Sequence, residues 1–281
     1  MRVGVALGNV GLTRRPLTAT DHADQVLQLA EAAEQLGFHA VWVGDHLAFP
    51  TTPTTSYPYG GGTMSPQTSM LDPFAVLAAV AARTSRVRLG FGVVVLPLRH
   101  PVVVAKLVAT IDALSHGRVV LGVGTGWLPE ELTLVGVDVA ERGRATDAAL
   151  QLLRRAFADG EVDGMTLLPT PVQRPGPPLW VGGAGSRALR RAAELADAWD
   201  APFTDPDALA DGIARLHAAC KAVGRDPATL DVAVRGLPVE AVDVDLVARY
   251  AALGVTELGV RPRFGDVDSL AALADRVSLS E

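Results

Sequence analysis

Short apolar runs, each followed by an amphipathic stretch rich in Ala, Leu and Arg, alternate from one end of this chain to the other. The first run is Arg2–Leu7, with a helix expected over Thr20–Leu36 and Gly37 where a left-handed cap would end it. The strand His39–Val43 and a helix over Pro73–Thr84 follow, with Asp72 placed to cap that helix and Pro73 to open it. The series continues as Val87–Val95 with Val102–Leu114, Val119–Val123 with Ala140–Ala158, and Leu179–Gly182 with Ser186–Leu195. Ala198–Ala201 with Asp205–Val223, Leu230–Arg235 with Val242–Leu253, and Glu257–Val260 with Val267–Val277 complete eight units. Strands apolar on both faces, each feeding a helix, imply a parallel sheet covered on both sides. Eight units in 281 residues suggest an α/β chain closed as a (β/α)8 TIM barrel, in a single domain over residues 1–281. A doubly wound sheet is the alternative. It would more often show about five to seven strands and one Gly-rich phosphate turn near the start. The first turn here, Gly8-Asn9-Val10-Gly11, is not G-x-G-x-x-G.

Three connections are long: Leu47–Leu71 after the second strand, Gly124–Val139 after the fourth, and Asp159–Pro178 before the fifth. Loops of that length are often lids or binding loops. With a net charge of −6 and no basic block, nucleic acid and anionic membranes are poor partners. Apolar runs such as Val93–Leu98 and Val102–Ala105 fall far short of the roughly 20 residues that span a bilayer. The N-terminus enters a strand with no signal-like apolar region, so a cytoplasmic location is expected. The lone cysteine, Cys220, rules out an internal disulfide and a Cys metal cluster, and its Ala-rich surroundings read as packing.

Barrel active sites gather at the C-terminal ends of strands. Asp45-His46, Gly90–Val93 with Pro97, Gly122–Trp127 and Gly182–Ser186 would converge there. A histidine titrates near neutral pH, so His46 can give or take a proton; it could equally cap its strand through a backbone carbonyl. Asp45 points elsewhere if the strand continues. A metal site is not indicated, because His22, His39, His100, His116 and His217 do not all fall at strand ends and no H-x-H or H-E-x-x-H spacing occurs. Gly122–Trp127 contains G-x-G-x-G, a weak signal that a tight turn would also explain. Trp127 could be a surface anchor or a pocket wall, and Pro129-Glu130-Glu131 looks like the start of a short helix. Val181–Ser186 runs from a strand through glycines into a helix, where free backbone N–H groups bind phosphate readily. Neither G-x-S-x-G nor a Walker A sequence is present.

Taken in order, several stretches resemble the bacterial luciferase-like monooxygenase superfamily, over roughly residues 1–200. They are Gly37-Phe38 with Val41–His46, Leu71-Asp72-Pro73, Thr84–Gly90 with Gly92-Val93, Leu98–Pro101, Asp112–Arg118, Gly122–Trp127 and Pro177–Gly183. The closer similarity is to its coenzyme F420-dependent oxidoreductases, although FMN-using members share most of these motifs. The resemblance implies a (β/α)8 barrel holding a deazaflavin or flavin at its C-terminal face. It implies that Asp45 and His46 lie by the ring, with His46 as catalytic proton donor or acceptor. Gly92-Val93 would be the third-strand bulge, with a non-proline cis peptide, that backs the ring. Thr125, Gly126 and the turn Gly182, Gly183, Gly185 and Ser186 would hold the cofactor's chain and phosphate. Sugar-phosphate dehydrogenases of the branch carry a glutamate directly after the fourth-strand G-T-G, where this chain has Trp127. Together with only two lysines, that argues against a sugar phosphate. Trp127, Tyr57, Tyr59 and Phe91 suggest an apolar or aromatic substrate instead. The resulting expectation is F420-dependent hydride transfer in a homodimer. The alternatives are an FMN monooxygenase fed by a partner reductase, a non-catalytic flavin-binding barrel and, more distantly, a metal-dependent hydrolase.

Overall fold

The structure, a computed structural model, describes residues 1–11, 18–59, 62–202, 205–263 and 265–278. Eight parallel strands close into a barrel in chain order: β1 (Arg2–Ala6), β2 (Ala40–Val43), β3 (Arg88–Val95), β4 (Val119–Gly124), β5 (Leu179–Gly182), β6 (Ala198–Ala201), β7 (Asp231–Pro238) and β8 (Glu257–Arg261). β1 closes the ring against β8, with Gly4 opposite Gly259. The helices are α1 (Ala19–Gln35), α2 (Pro73–Arg83), α3 (Pro101–Leu114), the short α4 (Pro129–Leu134), α5 (Arg142–Asp159), α6 (Ser186–Leu195), α7 (Pro206–Ala222), α8 (Val244–Ala252) and α9 (Val267–Arg276). Asp72 caps α2 as its position suggests, accepting from the N–H of Phe74 at 2.9 Å and Ala75 at 3.1 Å. Cys220 is buried in α7. No helix among the described residues is long and apolar enough to cross a membrane.

Two cores follow from the alternation of side chains along each strand. Outward-facing residues such as Val41, Leu89, Phe91, Leu121 and Val234 pack under the helices. Inward-facing residues fill the barrel, where Trp42 and Trp180 meet at 4.8 Å between ring centroids. These large rings fit because their neighbours are glycines. A Cβ on Gly90 would lie 2.1 Å from the Trp42 ring, and one on Gly4 would lie 2.5 Å from its indole nitrogen. The Trp42 indole N–H donates to the buried Glu257 carboxylate at 3.0 Å, so its one polar atom is satisfied. Arg235 stacks over Trp42 with its guanidinium carbon 4.0 Å from the ring centroid.

Several family-like motif residues serve this scaffold. Arg118 donates from its guanidinium to the carbonyls of Ala81, Thr84, Val87 and Ser115, joining α2, α3 and β3. Asp112 accepts from the backbone and side-chain N–H groups of Gln173 at 3.0 and 2.8 Å, which anchors the long connection ahead of β5.

Candidate active site

The end of β2 is clamped before it reaches His46. Asn9, from the turn after β1, accepts from the Gly44 N–H at 2.9 Å and donates to the carbonyls of Gly44 at 2.8 Å and Leu71 at 3.0 Å. That fully exchanged amide holds both ends of the long loop after β2 against β1. Only the oddity of a lone asparagine in an apolar turn hinted at it.

Asp45 and His46 then part company. The Asp45 side chain is fully enclosed, accepting from the Arg99 guanidinium at 2.5 Å and the Val95 N–H at 3.0 Å. Arg99 in turn reaches Asp72 at 2.9 Å, so the carboxylate ties β2 to β3 and to the cap of α2. Burial pushes the Asp45 carboxyl up, and the Arg99 charge opposes it. Asp45 presents no surface to a ligand, which corrects the expectation that it binds the cofactor directly.

His46 faces the mouth. Its Nδ1 lies 2.8 Å from Oε2 of Glu131, and its Nε2 accepts from the Trp127 indole N–H at 3.1 Å. Glu131 sits on α4 with its side chain almost wholly buried, and its other oxygen accepts from the backbone N–H of Leu47 and, at 3.3 Å, of Ala48. Its neighbour Glu130 accepts from Thr55 at 2.8 Å and Thr54 at 3.1 Å. The helix after β4 thus pins the whole first half of the loop after β2. Glu130 and Glu131 were visible in sequence only as the start of a short helix.

An aromatic row crosses the mouth from this point. Trp127 meets Tyr57 edge-on at 5.2 Å, and Tyr57 meets Tyr59 at 5.6 Å. The Tyr59 hydroxyl takes a hydrogen bond from the Ala184 backbone in the turn before α6. Burial pushes both phenols up. Trp127 and Tyr57 therefore line the mouth beside His46, but Phe91 does not. Its side chain is completely buried, with its ring 4.8 Å from Phe74 between β3 and α2. Phe91 has the outward phase of the strand, and its assignment as a substrate residue is corrected on that ground.

The remaining sequence-derived residues converge on the same face. The β3–β4 register shifts between Phe91 and Val94, and the Gly92–Val93 peptide within that bulge is cis. A Cβ on Gly92 would lie 2.7 Å from the Arg235 guanidinium, and one on Gly124 would lie 2.8 Å from Val93. Gly126 takes φ +80° directly after Thr125, and a Cβ there would lie 2.8 Å from Val95, so close approach and conformation both ask for glycine. Gly183 adopts φ +110° in the turn into α6. Gly185 caps that helix without a side-chain bond and faces open space, leaving the first amides, from Ser186 onward, free for an anion.

One pair had no motif to announce it. Asp200 on β6 and Arg235 on β7 form a buried ion pair inside the barrel, and burial pushes the Asp200 carboxyl up. A charge within otherwise apolar strand runs was the available signal.

A family model for luciferase-like monooxygenase matches residues 1–260. The chain belongs to the luciferase-like monooxygenase family. The match reaches beyond the roughly 200 residues that carry the sequence motifs. An uncharacterised Mycobacterium tuberculosis protein is 35% identical over 263 residues, covering 89% of this chain and 91% of that one. The 4-hydroxyprotoasukamycin monooxygenase of Streptomyces nodosus subsp. asukaensis is 37% identical over 135 residues, 48% of this chain but 32% of that enzyme. An F420-dependent secondary alcohol dehydrogenase in complex with an F420–acetone adduct shares the fold, with TM-score 0.77 at 18% identity, covering 100% of this chain and 99% of that one.

The site fits a flavin or deazaflavin. The bulge at Gly92-Val93 interrupts the strand at the mouth, with Arg235 packed close against Gly92 and the Val93 side chain against Gly124, so this wall is backbone and short side chains on which a flat ring could rest. The uncapped start of α6 offers N–H groups at the far side of the mouth, as a phosphate requires. Bound there, such a group would supply the electron chemistry, and the protein would supply binding, orientation and the proton.

Proposed function

We propose that this luciferase-like oxidoreductase uses coenzyme F420, moving a hydride between the deazaflavin and an apolar or aromatic organic substrate, with His46 moving the accompanying proton. The observation that carries this reading is the carboxylate-backed histidine at the mouth, with Nδ1 held by Glu131 and Nε2 turned towards the aromatic row. A positioned imidazole of this kind gives general acid–base assistance of about 10²–10⁴-fold. Gly92, Val93, Thr125 and Gly126 would bear on the ring and chain, Gly182, Gly183, Gly185 and Ser186 on the phosphate, and Trp127 and Tyr57 on the substrate.

The second reading is an FMN-dependent monooxygenase supplied by a partner reductase. It is favoured by the partial likeness to the Streptomyces monooxygenase. Fluorescence-quench titration of the purified chain with F420 and, separately, FMN tests the choice. Micromolar F420 binding with much weaker FMN binding supports the first reading; tight FMN binding without F420 moves the chain to the second. His46→Ala should then abolish turnover while cofactor still binds, and unchanged turnover would remove His46 from the chemistry. A homodimer belongs to the same reading, and sedimentation of the purified chain tests it.

A further inference from the structure

Two hydrogen bonds together settle which nitrogen of His46 carries the proton. An indole N–H only donates, so the His46 Nε2 it reaches at 3.1 Å must offer a lone pair. The proton of the neutral ring then sits on Nδ1, which faces Oε2 of Glu131 at 2.8 Å. Glu131 is in turn oriented by Leu47 and Ala48, whose backbone N–H groups donate to its other oxygen. With Leu47, Ala48 and Nδ1–H all directed at its two oxygens, the Glu131 carboxyl is surrounded by donors and serves as the acceptor.

We propose that Glu131 is the positioning residue of the site, locking His46 as its Nδ1–H tautomer, and that Trp127 is a placeholder on the reactive Nε2 until a substrate or a proton displaces it. This rests on the reading of His46 as the proton carrier. When a proton reaches Nε2, imidazolium and indole become two donors facing each other, and Trp127 must withdraw along with its edge contact to Tyr57. The new positive charge is met from behind by Glu131. The other ionisable groups nearby are Asp45, already engaged by Arg99, Glu130, held by Thr54 and Thr55, and Tyr57 beyond Trp127. Glu131 is therefore the only one of these bonded to the imidazole.

The variant Glu131→Gln discriminates sharply. The Leu47 and Ala48 N–H groups will hold the glutamine's carbonyl oxygen, which leaves its –NH2 facing Nδ1. A donor there forces the proton to Nε2 and breaks the Trp127 bond. Long-range ¹⁵N–¹H NMR of the ¹⁵N-histidine-labelled full chain reads the tautomer directly, with His46 assigned by its loss in His46→Gln. The expected result is an Nδ1–H ring in the unmodified protein, an Nε2–H ring in Glu131→Gln, and a displaced Trp127 indole resonance in that variant. Trp127→Phe should keep the Nδ1–H form, since Glu131 remains. In the loaded enzyme, Glu131→Gln should lower kcat about 10²-fold or more with cofactor affinity within about twofold of the original. An Nε2–H ring in the unmodified protein overturns the proposal even if Glu131→Gln fails to fold, and so does an unchanged tautomer in a folded Glu131→Gln. The NMR outcome stands apart from the role of His46 in turnover, which His46→Ala tests separately.

Discussion

Glu257→Gln should stabilise this barrel, and do so only above acid pH. Glu257 opens β8 and is buried in the N-terminal mouth of the barrel, a cavity of about 180 Å³ lined also by Arg2, His39, Arg88, Asp197 and Asp231. Burial pushes its carboxyl from the ordinary 4.5 up to about 7, although Arg235, Arg2, the Trp42 N–H and Arg88 all favour the charged form. A folded-state value above the unfolded one means that the folded protein holds the proton more tightly. The group is then neutral and harmless below pH 4.5, and folding loses stability progressively as pH rises towards 7. At roughly 1.4 kcal/mol per pH unit, the charged carboxylate costs about 3 kcal/mol at pH 8 and under about 1 kcal/mol at pH 5. Glutamine keeps the acceptor for Trp42 and never ionises. His39, whose imidazole is pushed down to about 4 by burial first and then by Arg2 and Arg88, contributes a slope of the opposite sign. His39 lies 4.0 Å from Glu257 and can respond to its loss, but its imidazole is neutral in folded and unfolded chains well above pH 6.5, so the difference between the proteins at pH 7.5–8 reports Glu257. Urea unfolding followed by tryptophan fluorescence, at half-unit steps from pH 5 to 8, should show the two stability curves diverging to about 3 kcal/mol. Parallel curves would refute the reasoning and place Glu257 in a better-solvated or better-paired environment.

Phe91→Ala should cost about 3–5 kcal/mol in urea unfolding and leave cofactor affinity within a few-fold, because the ring belongs to the core against Phe74. Arg99→Met removes the partner of a fully buried Asp45 and should cost about 3–5 kcal/mol near neutral pH, with the loss shrinking as the pH falls, because burial pushes this carboxyl up and favours its protonated form. Gly90→Ala drives a methyl into the Trp42 ring and should lower stability by about 1–3 kcal/mol, read as a reduced urea midpoint and a changed near-UV spectrum. Asn9→Leu should free the Gly44 and Leu71 backbone groups, and faster amide exchange at both ends of the loop would report it.

Much of the barrel was legible because its determinants are local. Each strand run and each helix carries its own period, and the stops at Gly37 and the start at Asp72-Pro73 are chemical properties of single residues. The bounds of β5, β6 and α6 come out of the sequence unchanged. Strand ends also told where a site should form, so His46 and the α6 turn could be listed in advance, while the bulge at Gly92-Val93 was expected only from the family resemblance. What could not be listed were the partners. Glu131 meets His46 across 85 positions of chain and Trp42 meets Glu257 across 215, and nothing local in either member names the other. The resemblance placed Asp45 beside the ring with His46, whereas strand alternation already separated them. The two neighbours point to opposite sides of the strand end, one into a scaffold ion pair and one into the mouth.

Periodicity by itself determined the class of fold, the order of its elements and the end of the barrel where chemistry belongs, because hydrophobic burial is read residue by residue along each element. Closure of the ring decided everything that depends on two distant elements meeting. It put Arg118 and Asp112 into the scaffold and Phe91 into the core. It set Arg235 between the tryptophans and Asp200. It gave His46 a carboxylate on one nitrogen and an indole on the other. Such pairings are set by distances of about 3 Å, and only the packed tertiary structure specifies distances on that scale.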